Sequence, residues 1–205
     1  MALSNEEIVQ IWRDNRKVPL PYFDGKEVEL FFEDEEELLY FADIIRRFLT
    51  LTPADRRSDT RHAYAYFKDF TDDVGFEWVD PGLKHLEPNS DEIWRFVEPT
   101  TLGAMESWDV GAKAPKRQYV VLEGNCGWEI EHGILMSWRD GAEMVKLSGY
   151  DGHATNGHAY DDLSKDRYIY HSLRPEMCTI NPAVPEARST LSETGSLSNW
   201  RRKSK

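Results

Sequence analysis

A dense group of reactive side chains lies between Cys126 and Gly133, in the sequence Cys-Gly-Trp-Glu-Ile-Glu-His-Gly. The segment holds a thiol, two carboxylates and an imidazole, which are the groups that cysteine nucleophiles and metal sites use. Asp140-Gly141 and Asp151-Gly-His153 follow closely and add more polar candidates. Function depends on whether these groups converge on one point or lie along a β-hairpin.

The local pattern favours a strand through this segment. Glycine at 124, 127 and 133 disfavours a helix, and the flanking residues are typical of strands. Because side chains alternate along a strand, Glu129 and Glu131 are expected to point away from the face of Trp128. The face of Trp128 is then expected to carry Cys126, Ile130 and His132, with Cys126 buried as a small hydrophobic residue. A metal site of Cys126, Glu129 and His132 would need a break in the strand, which Gly127 could provide.

We therefore predict a signature hairpin that is structural or faces a partner, and we predict no catalytic residue, metal or cofactor. Its residues are Cys126, Trp128, Glu129, Glu131, His132, Gly133, Asp140 and Gly141. Asp140-Gly141 is a strong signal for the hairpin turn.

Two enzymatic interpretations remain open beside this one. Cys126 could act as a nucleophile if one of the three nearby histidines served as its base, namely His132, His153 or His158. Asp151, His153 and His158 are metal-ligand types, although such residues are also typical of turns. The glycine-rich nucleotide motifs, the nucleophile elbow and the HExxH motif are absent from the sequence.

The charge of the chain indicates which partners it prefers. Its 205 residues include 25 Lys and Arg against 37 Asp and Glu, which gives a net charge of −12. An acidic surface repels nucleic-acid phosphates and attracts basic proteins. Seven Trp and nine Tyr supply aromatic anchors for an interface. We expect a basic protein partner and no nucleic acid.

The cysteines and the apolar runs indicate a compartment. The two cysteines, Cys126 and Cys178, are distant in sequence and form no CxxC pair, which disfavours a disulfide scaffold or a zinc ribbon. The first residues lack the pattern of a secretory signal, and no apolar run reaches membrane-spanning length. A cytoplasmic protein without membrane contact is expected.

The N-terminal part reads as helical. Ser4 and Glu7 predict a capping box for a helix over 4–16, which the prolines between Val18 and Pro21 end. Alternation predicts a strand over 27–32. Asp34 is predicted to be the N-cap of a second helix, which runs to about residue 49. Thr52-Pro53 predicts the start of a third helix, which ends before Gly75.

The C-terminal part reads as a β-meander after an irregular connection over 76–92. Strands are predicted near 93–98, 102–108, 117–123, 128–139 and 142–148, with a short one at Tyr168–His171. The sum is an α+β class, with N-terminal helices packed on a C-terminal antiparallel sheet. We predict one domain over 1–181, with a helical half to about 75 and a β-rich half over 93–181, and a flexible tail over 182–205.

The segment Tyr119-Val-Val-Leu-Glu, the signature from Cys126 to Ile134 and the Asp140-Gly141 turn together resemble a family of functionally uncharacterised bacterial domains. The hairpin Cys-x-Trp-Glu-x-Glu-His-Gly is that family's signature, and Ile45–Leu51 with Asp55-Arg56 looks like its helical segment. The resemblance spans roughly 20–165. It implies a single α+β domain, and it implies no activity.

The hypothesis that these observations favour is a non-enzymatic interaction protein, of the immunity or antitoxin kind, that blocks a basic toxin. The alternatives are a thiol- or metal-dependent hydrolase built on Cys126, His132 and Asp151, and a sensor of a small ligand.

Overall fold

The computed structural model describes residues 3–14, 16–107 and 116–181; the predicted tail lies outside these ranges. The α-helices are α1 (Asn5–Asp14), α2 (Glu35–Tyr40), α3 (Ala42–Phe48), α4 (Pro53–Arg56), α5 (Thr60–Val74) and α6 (Asn156–Ala159). The strands are β1 (Lys17–Leu20), β2 (Lys26–Leu30), β3 (Val97–Ser107), β4 (Arg117–Cys126), β5 (Ile134–Arg139) and β6 (Glu143–Ser148). Across the part of the chain described here, every helix is too short or too polar to cross a membrane.

The six strands form one sheet in the order β1-β2-β3-β4-β5-β6. All neighbours are antiparallel except β2 and β3, which are parallel. A parallel pair requires a crossover connection, and helices α2 to α5 lie in that connection. The predicted α+β class is confirmed, and two strands from the N-terminal half extend the C-terminal meander.

The helix starts follow their local signals. Ser4 Oγ accepts a hydrogen bond from the Glu7 amide, and the Glu7 carboxylate accepts one from the Ser4 amide, which completes the predicted capping box. The Asp34 carboxylate caps α2 through the Glu37 amide. The predicted second helix is divided at Phe41 into α2 and α3, and the third is divided into α4 and α5. Hydrophobic spacing survives a short interruption, so it predicts the buried face better than the continuity of a helix.

Several strand predictions are wrong in their bounds. The segment with the prolines near residue 20 is predicted from its sequence only to end a helix, but Lys17–Leu20 form the edge strand β1. Proline is tolerated in an edge strand because its missing N–H can face away from the neighbouring strand. Residues 91–96 form a 3₁₀ turn, and the two strands predicted over 93–108 are the single strand β3, with an irregularity between Pro99 and Thr101. The predicted strand at Tyr168–His171 is reduced to one bridge between Tyr168 and Ile180.

The sheet has two unequal faces. One face packs against the helices in a core that draws side chains from Ile8 to Tyr170, and Val120 and Leu122 of β4 belong to it. The other face carries Tyr119 and Val121 of β4 in a smaller cluster with Leu135, Val145 and Ala154. Because residues of β4 are buried on both faces, its sequence Tyr-Val-Val-Leu is apolar without alternation.

The hairpin between β5 and β6 turns at Asp140 and Gly141, as predicted. Both residues have positive φ, at 50° and 68°. The turn packs on α3, where a Cβ atom added to Gly141 would overlap the carbonyl oxygen of Ile44. Arg47 donates to the Asp140 carbonyl oxygen at 3.2 Å and fixes the same contact. Glycine is required here by both backbone conformation and packing.

We expect Gly141→Ala to be much more destabilising than Gly25→Ala. Both glycines have positive φ, but a Cβ at Gly25 meets no atom within 4 Å. Gly25→Ala should therefore cost only the backbone strain, about 1 kcal/mol, whereas Gly141→Ala must also displace α3. Urea denaturation of the two variants measures the difference, and equal losses would contradict the close packing of the turn.

Candidate functional site

The signature segment forms a turn. Strand β4 ends at Cys126 and β5 begins at Ile134, so the first six residues of the strand predicted over 128–139 are not extended. Gly133, with φ of 64°, brings the turn against β4, where an added Cβ would overlap the carbonyl oxygen of Gly124. The break that the strand pattern disfavoured is therefore present.

The carboxylate of Glu129 organises this turn from the inside. Glu129 is buried, and its two oxygens accept hydrogen bonds from the amides of Glu131 at 2.8 Å and His132 at 2.9 Å. Nδ1 of His132 lies 3.1 Å from the same carboxylate. The Tyr66 hydroxyl lies 3.1 Å from the Gly133 carbonyl oxygen and 3.4 Å from the Glu129 carboxylate. Hydrogen bonds to a charged acceptor are worth about 1.5–3 kcal/mol each, so the carboxylate holds the turn closed.

The predicted alternation of faces is wrong in this segment. Trp128 and Glu129 are consecutive and both buried, whereas Ile130 is 70% exposed and Glu131 and His132 are also exposed. Period two applies only to extended backbone. In the turn, neighbouring side chains enter the interior together, so Glu129 shares the inner side with Trp128.

Cys126 is a buried free thiol at the end of β4. Its Sγ has two carbonyl oxygens within donating distance, that of Glu129 at 3.4 Å and that of Gly133 at 3.7 Å. Burial raises the pKa of the Cys126 thiol to about 12. A cysteine nucleophile acts as its thiolate, and this environment keeps the proton on sulfur at neutral pH.

The loop that carries Asp151, His153 and His158 has another use. Its Asp151 carboxylate binds the ammonium of Lys146, with both oxygens 2.5 Å from Nζ, and the His153 carbonyl oxygen accepts from Nζ at 2.9 Å. The Lys146 side chain is fully buried, and burial lowers its pKa despite the nearby carboxylate. Among the described residues, no group of three or more His, Cys, Asp or Glu could hold a metal ion.

A shallow cavity of about 340 Å³ borders the exposed side of the signature turn. Tyrosines dominate its wall: Tyr66, Tyr150, Tyr160 and Tyr170. His132 and Glu129 also border it, which places part of the predicted signature beside an open surface.

A second cavity, the acidic groove, lies on the less covered face of the sheet and has a volume of about 380 Å³. Phe31 is 69% exposed and Tyr150 is 52% exposed, so both offer aromatic surface to a partner. The groove is lined by Phe31, Phe32, Glu33, Glu37, Thr101, Gly103, Ala104, Met105, Val121, Glu123 and Tyr150. It combines an apolar floor with three carboxylates.

Some acids of the sheet have cationic partners, whereas the carboxylates of the acidic groove, like Glu27 and Glu29 of β2, have none among the ion pairs of the described residues. Glu98 pairs with Lys26 at 2.8 Å and Glu106 pairs with Lys116 at 2.7 Å. Among the ion pairs of the described residues, none involves Glu33, Glu37 or Glu123. Burial raises the pKa of Glu123, which is the effect of a carboxylate that loses water without gaining a cation. The Glu37 carboxylate accepts a hydrogen bond from the Glu33 amide at 2.7 Å, but a basic group placed in the groove would still meet carboxylates that have no cationic partner among the described residues.

The sequence contained part of the signal for the acidic groove. Alternation along β2 places Glu27, Glu29 and Phe31 on the exposed side, which marks Phe31 as an unusual solvent-facing aromatic residue. Glu123 could not be joined to Phe31 from sequence, because the pairing of β2 with β3 and of β3 with β4 brings them together. Tyr150 reaches the groove from the segment after β6.

A third cavity, of about 390 Å³, contains two ionisable groups whose pKa values are displaced. Burial raises the pKa of Asp59 to about 6, and the Tyr22 hydroxyl donates to its carboxylate at 2.7 Å. Burial lowers the pKa of His62 to about 3, and its Nδ1 lies 2.7 Å from Thr179 Oγ1. No sequence motif predicts this cavity, because residues from the C-terminal part bury the start of α5.

The chain belongs to a family of domains of unknown function, DUF6985, whose model matches residues 3–154. The resemblance to an uncharacterised family is therefore confirmed. No curated protein matches the chain. No solved structure matches it. The match covers the sheet, the signature turn and the acidic groove, and the family itself assigns no activity to them.

We expect Glu129→Gln to lower the free energy of unfolding by about 2–3 kcal/mol. Glutamine keeps the size of the side chain, but it removes the charge and turns an amide donor toward the amides of Glu131 and His132. The matched control is Glu131→Gln, an exposed position where a change within about 0.5 kcal/mol is expected. Urea denaturation compares the two variants, and similar effects would show that the Glu129 carboxylate does not hold the turn.

Asp59 should give stability a distinctive dependence on pH. Its folded pKa of about 6 lies above the ordinary value of 3.8, so the folded state binds the proton more tightly and stability falls as pH rises from about 4 to 6. His62 acts in the opposite direction, because its pKa falls from 6.5 to about 3 and stability rises with pH across that interval.

The difference in free energy of unfolding between Asp59→Asn and the wild type, followed over pH, separates the effect of Asp59 from that of His62. Asparagine keeps an acceptor for Tyr22 and does not ionise. We expect the variant to gain about 2 kcal/mol relative to the wild type between pH 4 and 7, measured by urea denaturation at each pH. A difference that stays constant over this range would contradict the raised pKa.

Proposed function

We propose that this protein is a non-enzymatic interaction module whose acidic groove binds a basic, aromatic-containing segment of a partner protein. The observation that carries the proposal is the acidic groove itself. It places Glu33, Glu37 and Glu123 beside an apolar floor and exposes Phe31 and Tyr150. A partner of this chemistry is consistent with an immunity or antitoxin role toward a basic toxin.

Charge and apolar surface have separate roles in this proposal. The net charge of −12 attracts a basic protein over long range and increases the rate of encounter. Exposed aromatic side chains then supply contact area with little loss of conformational freedom, which is typical of residues that dominate binding energy. Guanidinium groups suit the carboxylates because they form paired, charge-assisted hydrogen bonds.

The enzymatic alternative has less support from the geometry. A thiol hydrolase would need Cys126 as a thiolate, and this thiol is buried with a raised pKa and donates to carbonyl oxygens. A metal hydrolase would need Asp151 as a ligand, and this carboxylate neutralises buried Lys146. The small-ligand alternative has one supporting feature, the tyrosine-lined cavity beside the signature turn, and a ligand that raised Tm there would favour it.

Binding of a synthetic arginine-rich peptide containing one tryptophan tests the proposal. A variant that combines Glu33→Gln, Glu37→Gln and Glu123→Gln should bind the peptide at least tenfold more weakly at low salt. Adding Phe31→Ser to this triple variant should weaken binding further. The control is Glu87→Gln, an exposed residue outside the groove with the same chemical change, for which less than a twofold effect is expected. Isothermal titration calorimetry measures all four proteins.

Two results would overturn this function. The wild type fails to bind the peptide at low salt, or the triple variant binds it as well as the wild type does. A gene beside this one that encodes a basic toxin domain would supply the natural partner for the same measurement.

A further inference from the structure

The charge of the chain is divided unequally between two parts. Residues 182–205 contain five Lys and Arg against two Glu, which gives a net charge of +3. Residues 1–181 therefore carry a net charge of −15, and the whole chain carries −12. Four of the five basic residues lie in the last six positions, behind a tryptophan, in the sequence Trp200-Arg-Arg-Lys-Ser-Lys205. This basic segment has the composition that the acidic groove is proposed to bind.

We propose that the basic segment Trp200–Lys205 occupies the acidic groove of its own chain when no partner is bound. This inference rests on the proposed function, because it assigns an occupant to the same groove. The chain then carries its own competitor, and a partner must displace it.

The chemistry of the two surfaces is complementary group by group. Trp200 brings an indole to a groove that offers Phe31, Met105 and Tyr150. The cationic residues that follow it meet Glu33, Glu37 and Glu123, which no cation of the described residues neutralises. Arginine suits this site because its planar guanidinium binds carboxylates in pairs and packs on aromatic rings.

The connection is long enough for this contact. Asn181 is the last described residue, and 18 residues separate it from Trp200. That length of chain spans up to about 60 Å when extended. A folded body of this size has a radius of gyration of roughly 16 Å, hence a width of about 40 Å and a half-circumference of about 63 Å, so the segment can reach most of its surface.

Attachment makes even a weak contact effective. A tethered segment experiences its site at a local concentration of the order of millimolar. A contact with an intrinsic Kd of about 100 μM would then occupy the groove about nine-tenths of the time and weaken a partner's apparent affinity about tenfold. Salt screens such contacts, so the effect should decline as ionic strength rises.

Zero-length carbodiimide cross-linking of the full chain tests the placement directly, because it joins a lysine to a carboxylate only where the two touch. We expect Lys203 and Lys205 to cross-link to Glu33, Glu37 or Glu123 within monomers, as identified by mass spectrometry. Links that are scattered over other carboxylates, links found only in cross-linked dimers, or the absence of links from these lysines would each overturn the proposal.

A competition measurement tests the consequence. Combined Arg201→Gln, Arg202→Gln and Lys203→Gln should bind the arginine-rich peptide about tenfold more tightly than the wild type does. The control removes three positive charges elsewhere, through Lys84→Gln, Arg95→Gln and Arg188→Gln, and should change binding less than twofold.

The two proposals fail in different ways. If the wild type and the basic-segment variant bind the peptide equally, the segment does not occupy the groove, and the binding function still stands. If neither protein binds the peptide, the binding function is wrong, and the cross-links alone decide where the segment lies.

Discussion

The burial of β4 on both faces is the constraint from which the rest of the structure follows. One face is covered by the helices that lie between β2 and β3, and their apolar side chains fill that side. Among the described residues, the other face has no such layer of helices; the segment after β6 reaches it, and Ala154 joins the cluster of Tyr119, Val121 and Leu135. The part of this face toward β2 and β3 is left open, and that part is the acidic groove.

Two buried charged side chains, Lys146 and Glu129, hold the segment after β6 and the signature turn in place. Lys146 extends from β6 into the second face, and Asp151 and the His153 carbonyl oxygen receive its ammonium, so the covering segment is tied to the sheet. Glu129 does the same for the signature turn by accepting two amides. A buried charge left without its partner costs several kcal/mol, which makes each of these arrangements specific. Both side chains fix the backbone segments that they contact.

The acidic groove is a surface where carboxylates remain without cationic partners among the described residues. Glu98 and Glu106 of β3 have basic partners, whereas no ion pair among the described residues involves a carboxylate of the acidic groove. The same groove exposes aromatic surface that a monomer gains nothing by showing to water. An acidic body joined to a basic, tryptophan-containing segment gives one physical account of both the groove and the unequal charge of the chain.

Local chemistry was readable from the sequence alone. The capping box at Ser4 and Glu7, the Asp34 cap, the Asp140-Gly141 turn and the α+β class depend on residues within a few positions of one another, so their patterns predict them. Tertiary structure decided the parallel pairing of β2 with β3, the use of Lys17–Leu20 as an edge strand and the path of the signature turn. Alternation predicted Glu129 on the outside because the pattern contains no term for a buried carboxylate that binds two amides of its own turn and a tyrosine 63 positions earlier. The acidic groove likewise required three strands to meet, because no short stretch of sequence records which distant carboxylates will lack a cation.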